Sequence, residues 1–160
     1  IVRVDLTDIY PLEMSVRIVK IYDGDTVLVK RRNSFFKVRI SRIDAPEKGQ
    51  RFIGTNINAG DLSTDCLKKM LSQNREYQLS LEGVDIYHRY LGDIERVSLN
   101  LVQQGCALLY PFAVFQSRKD KSLYLSALHR AKINKRGMWK YPGLLTPYYY
   151  RKLNKRGEVP

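Results

Sequence analysis

Two carboxylates stand where strands should end, Asp25 just past the Asp23-Gly24 turn and Asp44 at the close of the third strand, and a third, Glu47, follows three residues on beside Pro46. Hard oxygen donors of this kind suit Ca²⁺ or Mg²⁺. Two carboxylates with a few backbone or water oxygens would leave coordination positions for a substrate phosphate. Taken singly, Asp23 and Asp25 are ordinary turn formers and Asp44 an ordinary strand-ending residue; it is their joint pattern that points to a site. Two arginines are candidate partners. Arg39 precedes Asp44 by five positions. In a regular strand that odd separation puts the two on opposite faces, so a bulge or a curving strand must intervene if they are to meet. Arg89 follows the turn-rich stretch 83–88, where a guanidinium could clasp a phosphate through two parallel hydrogen bonds. For either arginine taken alone, an ordinary surface charge is the commoner fate.

The elements that would position these groups follow from hydrophobic periodicity. Residues 15–32 alternate apolar and polar side chains through Val16, Ile18, Val27 and Val29, interrupted by Asp23-Gly24, which predicts a hairpin. A third strand over 35–43 stops before Pro46, which has no amide hydrogen to continue a ladder. The glycine- and asparagine-containing stretch 48–60 is a loop, and Leu62, Cys66 and Met70 mark an amphipathic helix over 61–72. Strands are expected at 76–82 and 89–97, then a short helix capped by Ser98 and ending at Gly105. A longer helix opens near Asp120, with Tyr124, Ala127, Leu128 and Ala131 on one face. Five antiparallel strands with a helix after the third is the element order of an OB-fold. The expected class is therefore mainly β with α, a five-stranded Greek-key barrel carrying three helices. Residues 15–141 form this domain, 1–14 an N-terminal extension, and 142–160 a basic, tyrosine-rich extension outside the barrel.

Composition bounds the function. Forty-four per cent hydrophobic residues in 160 suffice for one core, and no apolar run is long enough for a membrane span. The chain begins at Ile1 rather than Met; if a signal peptide has been removed, a secreted or periplasmic location is favoured. The net charge of +12 asks for a polyanionic partner. It is concentrated: residues 1–116 carry 16 basic and 14 acidic side chains, residues 117–160 carry 12 and 2. A solvated basic face is the plain reading of such a run, and attraction of a phosphate backbone the functional one. Cys66 and Cys106 lie among apolar neighbours and are taken as buried free thiols, with a single disulfide in an exported protein left open. With only His88 and His129 in the chain, a structural zinc site is not assembled.

Five blocks, in order, resemble the staphylococcal nuclease-like (thermonuclease) family: Tyr22-Asp23-Gly24-Asp25-Thr26; Val38-Arg39-Ile40 through Ile43-Asp44-Ala45-Pro46-Glu47; Asp85 to Gly92; Leu101 to Gly105; and Gly137-Met138-Trp139. The resemblance covers about 15–141 and implies an OB-fold barrel, a calcium-dependent phosphodiesterase cutting DNA and RNA alike, and products with 3′-phosphate and 5′-hydroxyl ends. It implies Asp25 and Asp44 as carboxylate ligands of Ca²⁺, the backbone carbonyl of Ala45 as a further ligand, Glu47 as general base, and Arg39 and Arg89 as phosphate-binding arginines. Tyr87 as a phosphate hydrogen-bond partner and Tyr110 as a base-stacking ring are expected substrate contacts. A monomer acting on DNA and RNA is the expectation; a catalytically silent nucleic-acid-binding module of the same fold is the alternative.

Overall fold

The computed structural model describes residues 10–159 apart from Ile86 and His88. Residues 1–9 of the expected N-terminal extension and two residues of the third motif therefore lie outside the described residues. Strands β1 (Leu12–Ile21), β2 (Thr26–Arg31), β3 (Ser34–Ile40), β5 (Glu76–Val84) and β6 (Tyr90–Ile94) close a barrel in the order β1-β2-β3-β6-β5. Two short strands, β4 (Ile43–Asp44) and β7 (Leu108–Leu109), pair beside it. Alternation places Val16 and Ile18, Val27 and Val29, and Val38 and Ile40 inside, where each is at most 1% exposed, as the two-residue period of a pleated strand requires. This is the OB-fold, α+β arrangement. β1 starts at Leu12, inside the stretch assigned to the extension.

One expectation about the barrel needs correction. Its strands are not all antiparallel, because β3 and β6 run parallel, with Arg39 beside Leu91. The reason is geometric: a closed ring of five strands cannot alternate direction throughout, so one neighbouring pair must be parallel.

The helices are α1 (Ala59–Met70), α2 (Val97–Gln103), α3 (Arg118–Ile133) and α4 (Pro147–Lys155), with a 3-10 turn at Gly137–Lys140. Among the described residues there are four α-helices rather than three, the additional one lying in the C-terminal extension. Asn58 caps α1 by accepting from the Asp61 N–H, and Ser117, not Asp120, caps α3. Ser98 lies inside α2 instead of capping it: its hydroxyl donates to the Ser41 carbonyl and its N–H to Asp93 Oδ1. Leu67 of α1, Leu101 and Val102 of α2, and Tyr124 and Ala127 of α3 complete the barrel core.

The two cysteines are not free thiols. Cys66 on α1 and Cys106 after α2 form a disulfide, with Cα atoms 6.0 Å apart, within the span a disulfide bridges. Both lie among apolar neighbours, as the sequence suggests; what spacing does not show is that α1 lies against the segment running into β7.

Candidate active site

The Asp23-Gly24-Asp25 turn is pressed against two other elements. A Cβ at Gly24 would overlap Ser63 Oγ of α1 and the Ala45 side chain, so only glycine lets the turn sit this close. Asp23 Oδ1 accepts the Asp25 N–H at 3.0 Å. Asp25 in turn accepts from Thr26 Oγ1 and from the Ala45 N–H, both at 3.0 Å. The last bond ties the start of β2 to the end of β4 and brings Asp25 toward Asp44.

Arg39 reaches the same place. Its Nη2 is 3.5 Å from both Asp25 Oδ2 and Asp44 Oδ1, and its Nη1 donates to the Ile40 carbonyl at 2.6 Å. The irregularity demanded by the odd spacing is the reversal at Ser41-Arg42, where Arg42 has φ 69°. Arg42 is held there by Glu82 (2.8 Å), Asp93 (3.4 Å) and Tyr124 Oη (3.1 Å).

Glu47 is positioned by a buried amide that sequence reasoning did not single out. Gln50 is 0% exposed. Its Oε1 accepts the Glu47 N–H at 3.0 Å, its backbone N–H donates to the Glu47 carbonyl at 2.9 Å, and its carbonyl accepts from Ala59 at the start of α1. Its Nε2 donates to the Leu145 carbonyl at 2.9 Å, so one side chain holds both the Glu47 loop and the C-terminal segment. Every polar atom of this buried side chain is thereby used, as burial demands.

The C-terminal segment brings in a third arginine. Arg151 of α4 places Nη1 3.0 Å from Asp44 Oδ1 and 2.7 Å from Glu47 Oε1, and Nη2 3.0 Å from Asp44 Oδ2. The Asp44 side chain is 1% exposed while that of Arg151 is 36% exposed, so the fork enters from the surface to meet a buried carboxylate. The basic run reads either as a solvated face or as an attractor of phosphate backbone; at Arg151 the charge meets carboxylates of the same molecule instead. The available signal was Thr146-Pro147, a cap residue followed by proline at the first helical position.

Of the other expected site residues, Tyr110 is brought in: its ring faces the Arg39 guanidinium at 5.9 Å, and its N–H donates to the Arg42 carbonyl. It begins an aromatic row through Phe112 to Tyr148 of α4, with centroids 5.6 and 5.7 Å apart. Ala45 lies buried between Asp44 and Pro46. Arg89 and Tyr87 form a separate group. Asp85 binds Arg89 Nε at 2.8 Å and accepts the N–H groups of Tyr87 and Arg89, and Arg89 lies over the Tyr87 ring at 5.4 Å. Among the described residues no hydrogen bond or ion pair joins them to the Asp25, Asp44 or Glu47 carboxylates, although Arg89 directly precedes β6, two positions before Leu91, the partner of Arg39.

The field at the site is strongly negative behind its arginines. Burial, with the charges of Asp25 and Glu47 beside it, pushes the Asp23 carboxyl up to about 7. Burial also moves Asp44 upward, against the pull of Arg151 and Arg39. Arg151 is held firmly in its charged form, since the hydrogen bonds it donates to Asp44 and Glu47, and the charges of those carboxylates, outweigh the cost of burying it. Among the described residues no three His, Cys, Asp or Glu side chains make a ready-formed metal centre; guanidiniums bridge the carboxylates instead. The donors are all carboxylate oxygens around a buried Asp44, a set that requires positive charge and matches a hard cation.

The family profile described as staphylococcal nuclease homologue matches residues 37–141, which hold Arg39, Asp44, Glu47, Arg89 and Tyr110. The chain belongs to the staphylococcal nuclease family. An uncharacterized endonuclease of Haemophilus influenzae is 31% identical over 144 residues, covering 87% of this chain and 74% of that protein. A micrococcal nuclease of Shigella flexneri is 28% identical over 151 residues, covering 86% and 80%. An uncharacterized endonuclease of Escherichia coli O157:H7 is 29% identical over 140 residues, covering 84% and 83%. Membership in this nuclease family makes nucleic acid the substrate class. No helix among the described residues is long and apolar enough to cross a membrane. The family match ends at 141, before α4.

Proposed function

We propose that the chain hydrolyses phosphodiester bonds of DNA and RNA, using Ca²⁺ held by Asp25, Asp44 and the Ala45 carbonyl, and leaves 3′-phosphate and 5′-hydroxyl ends. The observation that carries this reading is the meeting of Asp25 and Asp44 at the ends of different strands, with one Arg39 nitrogen 3.5 Å from each. A phosphodiester is anionic and repels its nucleophile. Arg39 supplies fixed positive charge where the phosphoryl oxygens gain negative charge, in a setting that need not reorganise during the reaction. When bound, the cation adds further positive charge at the same oxygens.

Glu47 accepts the proton of the attacking water; its backbone is clamped through Gln50, so positioning offsets the weak basicity of a carboxylate. Arg89, oriented by Asp85, holds a non-bridging phosphate oxygen. Tyr87, 69% exposed, donates to phosphate from the same turn, and Tyr110 offers a ring to a base. Stacking and backbone charge select neither sugar nor sequence. So few side-chain ligands make a weak calcium site suited to a calcium-rich exterior, and the Cys66–Cys106 disulfide fits an oxidising compartment.

Digestion of plasmid DNA and of RNA with Ca²⁺, and then with excess chelator, tests the proposal. Cleavage should require the metal and fall by at least about 100-fold in Glu47→Gln, the size of a positioned general base's contribution. Undiminished digestion in chelator overturns the calcium assignment. Binding without cleavage under any metal would make the chain a silent nucleic-acid-binding module instead.

A further inference from the structure

We infer that Arg151 is a tethered competitor for the cation: α4 fills the carboxylate site with its own guanidinium, and a divalent cation binds by displacing that helix. The inference rests on the proposed cation site. Its basis is the two-armed contact of Arg151 with Asp44 and its third bond to Glu47, at 2.7 to 3.0 Å. Asp44 offers two carboxylate oxygens, and both are taken by Arg151. A cation coordinated by the same oxygens and a guanidinium bonded to them cannot share the space, and their charges repel.

The helix is built to be held and to be released. It is nine residues long, below the length at which an isolated helix is stable in water, so its order depends on docking. Its fastenings are few: Tyr148 packs edge-on against Phe112, itself 65% exposed, and the preceding Leu145 carbonyl accepts from Gln50. Pro147 is its one buried residue. With Arg151 expelled, α4 loses its strongest polar anchor. Tyr148, with Lys152 over its ring at 4.5 Å, would move with it, away from Phe112 and Tyr110 next to the site.

Two measurements on the full chain test this without using activity. Calorimetric titration with CaCl₂ should give at least about tenfold tighter binding for Arg151→Ala than for the parent, the competitor having been removed. Arg151→Lys, which keeps the charge and loses the fork, should fall between them. Tyr148→Ala, which loosens the helix without touching a carboxylate, should move affinity the same way. By linkage, Ca²⁺ must weaken α4 docking by the factor that docking weakens Ca²⁺. Amide exchange over 147–155 in the parent should therefore accelerate on adding CaCl₂. Equal or weaker calcium affinity in Arg151→Ala, or exchange of α4 unchanged by calcium, overturns the inference. Failure of both parent and variant to bind any calcium would instead bring down the cation site itself, and the inference with it.

Discussion

Arg39 and Asp44, five residues apart in sequence, bring Nη2 and Oδ1 to 3.5 Å across a turn between them at Ser41-Arg42, where Arg42 adopts φ 69°. A non-glycine residue in the left-handed region needs its surroundings to hold it. Here Glu82 and Asp93 from the β5–β6 sheet and Tyr124 from α3 grip the Arg42 guanidinium. The barrel wall behind the site thus fixes the turn that joins two of its groups.

Arg42→Ala should accordingly cost about 3–5 kcal/mol, the usual result of leaving buried carboxylates without their countercharge. Denaturant unfolding measures it. A fall in nuclease rate larger than the fraction unfolded would show that the Arg39–Asp44 approach has loosened as well.

Gln50→Leu keeps the volume and removes the polar atoms that bind Glu47 and Leu145. Two part-buried backbone groups lose their partners, at about 1–3 kcal/mol each to the extent that water cannot replace the amide. Besides lower stability, amide exchange should rise both at Glu47 and around 145, two places distant in sequence. Exchange confined to one of them would contradict the double role.

Reduction of Cys66–Cys106, which closes a loop with a sequence separation of 40, should lower stability by about 4 kcal/mol on the chain-entropy account. The Cys66→Ser/Cys106→Ser double variant should unfold at lower urea with DTT-insensitive behaviour, while the parent's midpoint falls on adding DTT.

Acid should loosen the Arg89 turn. Burial by itself would raise the Asp85 carboxyl, but the N–H groups of Arg89 and Tyr87 and the Arg89 guanidinium hold it below its ordinary 3.8. A carboxyl lowered by folding contributes stability in full above its unfolded value and loses it as pH falls through the folded one. Carbon NMR should place the Asp85 midpoint below 3.8. Asp85→Asn should flatten the acid limb of the stability profile and free the Arg89 side chain at neutral pH.

Local pattern was enough to determine the barrel strands, the first three helices and the motifs holding Asp25, Arg39, Asp44, Glu47 and Arg89. Inward alternation at Val27 and Val29 or Val38 and Ile40 and the glycine turn at Gly24 are short-range signals, written within a few residues of where they act. The need for an irregularity between Arg39 and Asp44 was equally visible as a parity argument, without its location. What only the tertiary structure decided are the relations between distant segments: the parallel β3–β6 pair that closes an odd ring, the pairing of Cys66 with Cys106, the double grip of Gln50, and Arg151 meeting Asp44 across 107 residues. A helix as short as α4 has little intrinsic stability, and nothing local marks Arg151, rather than Lys152 or Lys155 of the same helix, as the one with a buried partner. Its position is set by the carboxylates it neutralises, buried Asp44 and half-buried Glu47, and these come together only once the barrel has closed.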